Sequence, residues 1–349
     1  MANYTTVNKS TDYYNTVKYT ATAGTTSVTG VGFQPSIVWT KDTGRTETPP
    51  IYDAVRGAGK RLLTSQANAE NDEGSNGISF DADGFTTGQD GSSGQDGNDY
   101  VSWNFKGAGS GSANTDGSIS STVSVDTTAK QSIVKWTGTG ANATVGHGLG
   151  TTPALILMKN LVDSEHWVVY HESLGNTQIV QLNTTSGFKV NSKYFNDTSP
   201  TNSVFTVGDG GEVNGSGDGM IAYCFSNNPG YFQTGQYWGN ANNDGPFIVT
   251  GFRPSLVIIK NYADSSGASN NGGNWGMWDN KREGYNPENE VLYANVTNAQ
   301  GTTNFLDFFG SGFKITNSDS AFNNNNDRYL YFAVGQTMSG TNNVPCNAF

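Results

Sequence analysis

The sequence predicts an all-β protein built of three tandem, related β-sandwich domains of jelly-roll type. Three observations lead there. Turns rich in Gly, Asn, Ser and Thr separate short aromatic and β-branched runs such as "SIVKW" and "FQTGQYW". No stretch of ten residues carries helical periodicity. One strand motif is also written three times, as "GFQPSIVWTKD", "GTTPALILMKN" and "GFRPSLVIIKN".

The prolines of that motif, Pro35, Pro153 and Pro254, lie 118 and 101 residues apart, so each copy is domain-sized rather than a solenoid unit. A short opening strand precedes each proline, at 16–22, 132–140 and 232–240. The Pro strands are apolar on both faces, which suits a strand covered on two sides. Proline fits at their start because it has no N–H to give to the ladder.

Each Pro strand ends in a lysine, Lys41, Lys159 or Lys260. Its stem can cover apolar surface while its ammonium caps the strand or pairs with Asp53 and the equivalents of Asp53. The segments "IYDAVRG", "VVYHESLG" and "GMWDNKREG" follow. The step from Lys41 to Asp53 and from Lys159 to His171 is 12 residues, but Lys260 to Asp279 takes 19, because "DSSGASNNGG" lengthens the third loop. Specificity is expected in that loop. A Gly-Phe corner then recurs at Gly84-Phe85, Gly187-Phe188 and Gly312-Phe313.

Each copy closes with an alternating strand: Val101-Trp103-Phe105, Ile221-Tyr223-Phe225 and Leu330-Phe332-Val334. That face reads as core, and the opposite one as small or polar. The organisation expected is an N-terminal segment (1–15), repeats at 16–110, 118–229 and 230–338, and a tail (339–349). "GAGSGSANTDGS" reads as a flexible joint between the first two repeats.

Composition excludes several functions. A net charge of −11 disfavours a phosphate backbone, so no nucleic-acid partner is expected. The opening "MANYTTVNKSTDYYN" has no signal-peptide pattern, and the apolar run 154–158 is too short to enter a membrane. Cys224 and Cys346 are expected as free thiols. His147, His166 and His171 lack metal-pair spacing and read as structural. Calcium is weighed at Asp90, Asp96 and Asp99, but a solvated Gly/Asp loop explains them, so no cofactor is expected.

No nucleophile elbow, P-loop or zinc-protease motif occurs, and Glu165, Glu172, Asp279 and Glu283 are not bracketed into a glycosidase pair. The expectation is therefore a non-enzyme. Aromatic rings stack on sugar faces and carboxylates bind sugar hydroxyls, which makes Trp238, Trp275, Trp278 and Asp279 the candidate ligand residues.

The motifs "VGFQPSIVWTKD", "YDAVRGAGKRLLTS", "FDADGFTTG" and "DYVSWNFKGAG" resemble a domain repeated in virion structural and tail-fibre-like proteins of marine tailed phages. The resemblance runs from about Tyr13 to Gln336 and carries no known catalytic residue. It implies a virion protein assembled in the host cytoplasm as a homo-oligomer among other virion proteins. A tail-fibre or adhesin-like role on host glycans is expected. Capsid decoration is the alternative, and a polysaccharide depolymerase ranks behind both.

Overall fold

The structure is a computed structural model, and it describes residues 5–269 and 272–336. It is nearly all β, with three single-turn α-helices at Ser192–Phe195, Gly211–Asn214 and Ser320–Asn323. The expected tail (339–349) with Cys346, and the first residues of the expected N-terminal segment, lie outside the described residues.

Each repeat packs one large antiparallel sheet against a small one. In the large sheet the opening strand (Tyr14–Thr20, Gln131–Thr137 or Phe232–Trp238) pairs with the closing strand (Asp99–Lys106, Gly219–Phe225 or Arg328–Gln336). The closing strand then pairs with the Pro strand (Pro35–Asp42, Leu155–Asn160 or Arg253–Ala263). A return strand follows, Pro50–Asp53, Val168–His171 or Trp275–Asp279. Since the first and last strands are neighbours, each repeat closes on itself. Register shifts directly after Pro35 and Pro254 place both prolines at bulges, where a missing N–H costs no ladder bond.

The small sheets cover one face of the large ones. Phe85, Phe205 and Phe313 occupy the same slot, opposite Val28, Val145 and Ile248, and all three are fully buried. In repeats 1 and 3 the preceding glycine is obligatory, because a Cβ on Gly84 or Gly312 would lie 2.0 Å from the carbonyl oxygen of Val28 or Ile248. Repeat 2 departs from the sequence expectation here. Its slot is filled by Val204-Phe205, opposite Gly146, while Gly187-Phe188 lies elsewhere, with the Phe188 ring 6.4 Å from that of Tyr262.

The other face of every large sheet meets its sisters. Trp103, Phe105, Tyr223, Phe225, Phe332 and Val334 belong to one apolar cluster together with Ile37, Leu157 and Ile258 from the three Pro strands. Ring centroids of Phe105 and Phe225 are 5.4 Å apart, and those of Phe225 and Phe232 are 5.1 Å apart, so aromatic contacts run from repeat 1 through 2 to 3. Burial of each such side chain contributes roughly 1.5–3 kcal/mol. The three repeats therefore share a central core and form a single body.

The opposite face of the closing strands, small or polar in sequence, is covered too. Ser102, Asn104, Ala222, Cys224, Tyr331 and Ala333 are also buried, beneath the small sheets. They pack in the layer between the two sheets and not against water.

The joint between repeats 1 and 2 is likewise not a free linker. Ser112–Asn114 adds an edge strand to the second large sheet, paired with Ser121–Asp126. Gly111 and Gly117 are needed because a Cβ on either would fall within 2.7 Å of backbone atoms.

Three backbone hydrogen bonds tie the seams in a cycle. Glu70 N–H donates to Leu161 O at 3.0 Å, Phe188 N–H to Tyr262 O at 3.0 Å, and Gln300 N–H to Thr43 O at 2.9 Å. Leu161, Tyr262 and Thr43 each stand two residues after the motif lysine. Repeat 1 thus gives to 2, 2 to 3, and 3 back to 1, which is a pseudo-threefold ring.

Candidate functional site

Several buried charged groups lie at these seams. In repeat 1 the "D-x-x-R" of "YDAVR" folds into a loop in which Asp53 accepts the N–H groups of Val55 and Arg56 and the Nε of Arg56. Tyr223 of repeat 2 donates its hydroxyl to the same carboxylate at 2.7 Å. Repeat 3 copies the arrangement. Asp279 accepts from the Lys281 and Arg282 N–H groups and from Arg282 Nε, and Trp103 of repeat 1 donates its Nε1 to Asp279 at 3.1 Å. Trp103, Tyr223 and Phe332 hold the same position of the closing strand, so each acid is locked by the neighbouring repeat.

Repeat 2 solves the slot differently. His171 stands at the position of the two aspartates, Leu174 at that of the two arginines, and the facing residue is Phe332, which has no polar hydrogen to give. His171 Nε2 lies 3.0 Å from the Tyr331 carbonyl oxygen, while its Nδ1 accepts the Ser173 N–H at 3.2 Å. These partners fix the tautomer with the proton on Nε2. Burial pushes the His171 pKa down to about 4, so the ring is neutral at pH 7.

The three motif lysines are fully buried as well, yet none pairs with Asp53 or its equivalents; the arginines hold that place. Lys41 Nζ donates to the Val296 and Thr297 carbonyls across the seam at 3.3 and 3.0 Å, and Lys260 Nζ to the Thr184 carbonyl at 3.2 Å. Lys159 stays within its own repeat, on the Asn160 and Asp163 carbonyls. Burial lowers Lys41 and Lys159 to about 8 and Lys260 to about 7.

Three of the four sequence-derived ligand candidates are interior. Trp275 is buried and donates Nε1 to the Gln181 carbonyl at 3.1 Å across a seam, as Trp167 does to Leu63 at 2.9 Å. Trp278 lies in the repeat 3 core against Phe305 and Phe322, and Asp279 is the seam acid. None has a face to offer a sugar, because the two tryptophans of "WGMWD" alternate between the central core and the sandwich core. Trp238 alone stands out, at 50% exposure.

The lengthened loop after Lys260 also serves a seam. Ser269 Oγ donates to the Phe188 carbonyl, and a Cβ on Gly272 would collide with Thr185 O. The weighed calcium ligands do not converge. Asp90 is buried and bound to Arg61, Tyr52 and Ser93, while Asp99 accepts from Thr20. No His/Cys/Asp/Glu cluster suited to a metal exists among the described residues.

Apart from Trp238, sequence reading missed an outer set of exposed rings confined, among the described residues, to repeat 3. Among the described residues, the largely exposed aromatic side chains are Trp238, Phe247, Tyr285 and Phe309. Phe247 and Phe309 touch at 5.6 Å on the outer face of the small sheet, beside exposed Val249. The registers place Ser27 and Thr144 at the position of Phe247, Asp81 at that of Phe309, and Thr20 and Thr137 at that of Trp238. An alignment of the three copies by strand register would have exposed this contrast.

A family model matches residues 9–337, across all three repeats. The chain belongs to the family described as Domain of unknown function (DUF7483). One match over the whole ring agrees with the shared core, in that the family's unit is three repeats and not one. No curated protein matches the chain.

Proposed function

We propose that this DUF7483 chain is a non-enzymatic structural protein of a virion surface, in which repeats 1 and 2 are scaffold and repeat 3 meets a host glycan. The observation that carries the reading is the confinement of exposed aromatic side chains to repeat 3, at positions where the sister repeats have Ser, Thr or Asp. Isolated apolar residues on a surface are ordinary, but several rings on one repeat that replace polar residues, two of them in contact at Phe247 and Phe309, mark a contact surface. Flat rings suit the apolar faces of sugars. The resemblance to virion and tail-fibre-like proteins supplies the setting, with other virion proteins and further copies of this chain as partners.

The test exchanges the rings for their sister residues in one variant, Trp238→Thr, Phe247→Ser and Phe309→Asp. All three sites are on the surface, so stability should change by no more than about 0.5 kcal/mol per site. Binding to host cells and to their purified surface polysaccharide should fall at least about tenfold, the equivalent of about 1.4 kcal/mol. Equal binding by variant and parent would overturn the role of repeat 3. Antibody labelling spread over the particle head would favour capsid decoration instead.

A further inference from the structure

The three seams are built from equivalent positions but do not close equally. At the seam of repeats 2 and 1, Leu161 packs against the central core and Glu70 pairs with Arg56 at 3.2 Å. At the seam of repeats 3 and 2, Tyr262 and Phe188 meet ring to ring. The seam of repeats 1 and 3 has Thr43 where the others have Leu161 and Tyr262, and Gln300 where they have Glu70 and Phe188. With these small or polar residues in place, the seam opens into a cleft of about 380 Å³.

Lys18, Asp99 and Glu290 in that cleft form no ion pair among the described residues. Among the described residues, Lys18 Nζ reaches the Arg282 carbonyl alone, at 3.4 Å. Asp99 accepts one side-chain hydrogen bond, from Thr20 at 2.6 Å. Glu290, on the opposite wall, forms no ion pair among the described residues. Arg282 donates to Gln300 Oε1 at 3.2 Å, which leaves the Gln300 amide NH2 available as a donor.

We infer that the cleft between repeats 1 and 3 is a binding site for one neutral or amino-sugar unit of a polysaccharide. Two carboxylates accept from sugar hydroxyls, while an ammonium and an amide NH2 donate to sugar oxygens. A polyol is a ligand class that uses all four groups at once, and hydrogen bonds to charged partners are the strong ones. The volume falls in the range of small-molecule sites. The inference rests on the glycan reading above and adds a second contact, apart from the exposed rings.

The test presents the full chain to an array of neutral and amino-sugar oligosaccharides. Two variants are compared with the parent: Thr43→Leu, which gives this seam its sister's filler, and the surface pair Lys18→Ala with Glu290→Gln. Both should lose at least about tenfold in affinity with an unchanged melting temperature. Should Thr43→Leu fold poorly, the surface pair decides alone. Parental affinity in the surface pair, alongside lost binding in the variant lacking the repeat 3 rings, would overturn the cleft and leave the glycan reading standing. An array on which the parent binds nothing would overturn both.

Discussion

The Asp53 junction and the His171 junction occupy the same slot of the ring and are built from opposite chemistry. At the first, an ionised carboxylate is held by Arg56 and by a hydroxyl from the next repeat. At the second, a neutral imidazole meets a backbone carbonyl beside Phe332. Three positions have changed together: Asp to His, Arg to Leu174, and the donor ring to Phe. The set is coherent, since a buried carboxylate without arginine and without a donor would cost several kcal/mol. The slot requires a satisfied polar group between repeats and does not require a charge.

The largest effect should follow from breaking the charged version. Asp53→Ala removes the main partner of buried Arg56, leaving it Glu70 and the Ile51 carbonyl, and should destabilise the protein by about 3–5 kcal/mol. Tyr223→Phe, which mimics the third repeat at the first junction, removes one bond to the carboxylate and should cost about 1–3 kcal/mol. Denaturant unfolding measures both. If Asp53→Ala were no worse than Tyr223→Phe, the ion pair would not be the anchor described.

The neutral version should show itself through pH. His171 titrates near 4 when folded and near 6.5 when unfolded, so the unfolded chain binds more protons between those values. Its contribution is complete above about pH 6.5 and is lost as pH falls toward 4, which amounts to about 3 kcal/mol. His171→Gln keeps polar groups in the slot but cannot titrate. The stability difference between parent and variant should therefore shift by that amount from pH 7 to pH 4, with the parent losing more. A constant difference would mean that His171 titrates alike in the folded and the unfolded chain, so that burial does not depress it.

Much of this ring is visible in the sequence, and the reasons for the rest are physical. The Pro strands announce burial on both sides through "ALILM" and "SLVII", and they are buried on both sides. The closing strands hid half of their role, because a face of Ser102 and Asn104 looks solvated when the covering sheet is far away in sequence. Long-range pairing also hid the seams. "D-x-x-R" recurs in copies 1 and 3 and is absent from copy 2, a signal that could have marked Asp279 as a lock and not a ligand residue. Trp275 and Trp278 carried no such signal, since a tryptophan within four residues of an acid looks the same in a core as in a binding loop. The cleft at Thr43 was legible only once Leu161 and Tyr262 were known to be its sisters.

If three repeats fold as one body around a common core, calorimetry will show it. Heating should give a single transition, with the calorimetric enthalpy equal to the van't Hoff enthalpy, displaced as a whole by Asp53→Ala. Three separable transitions, of which Asp53→Ala moves only those of repeats 1 and 2, would contradict it.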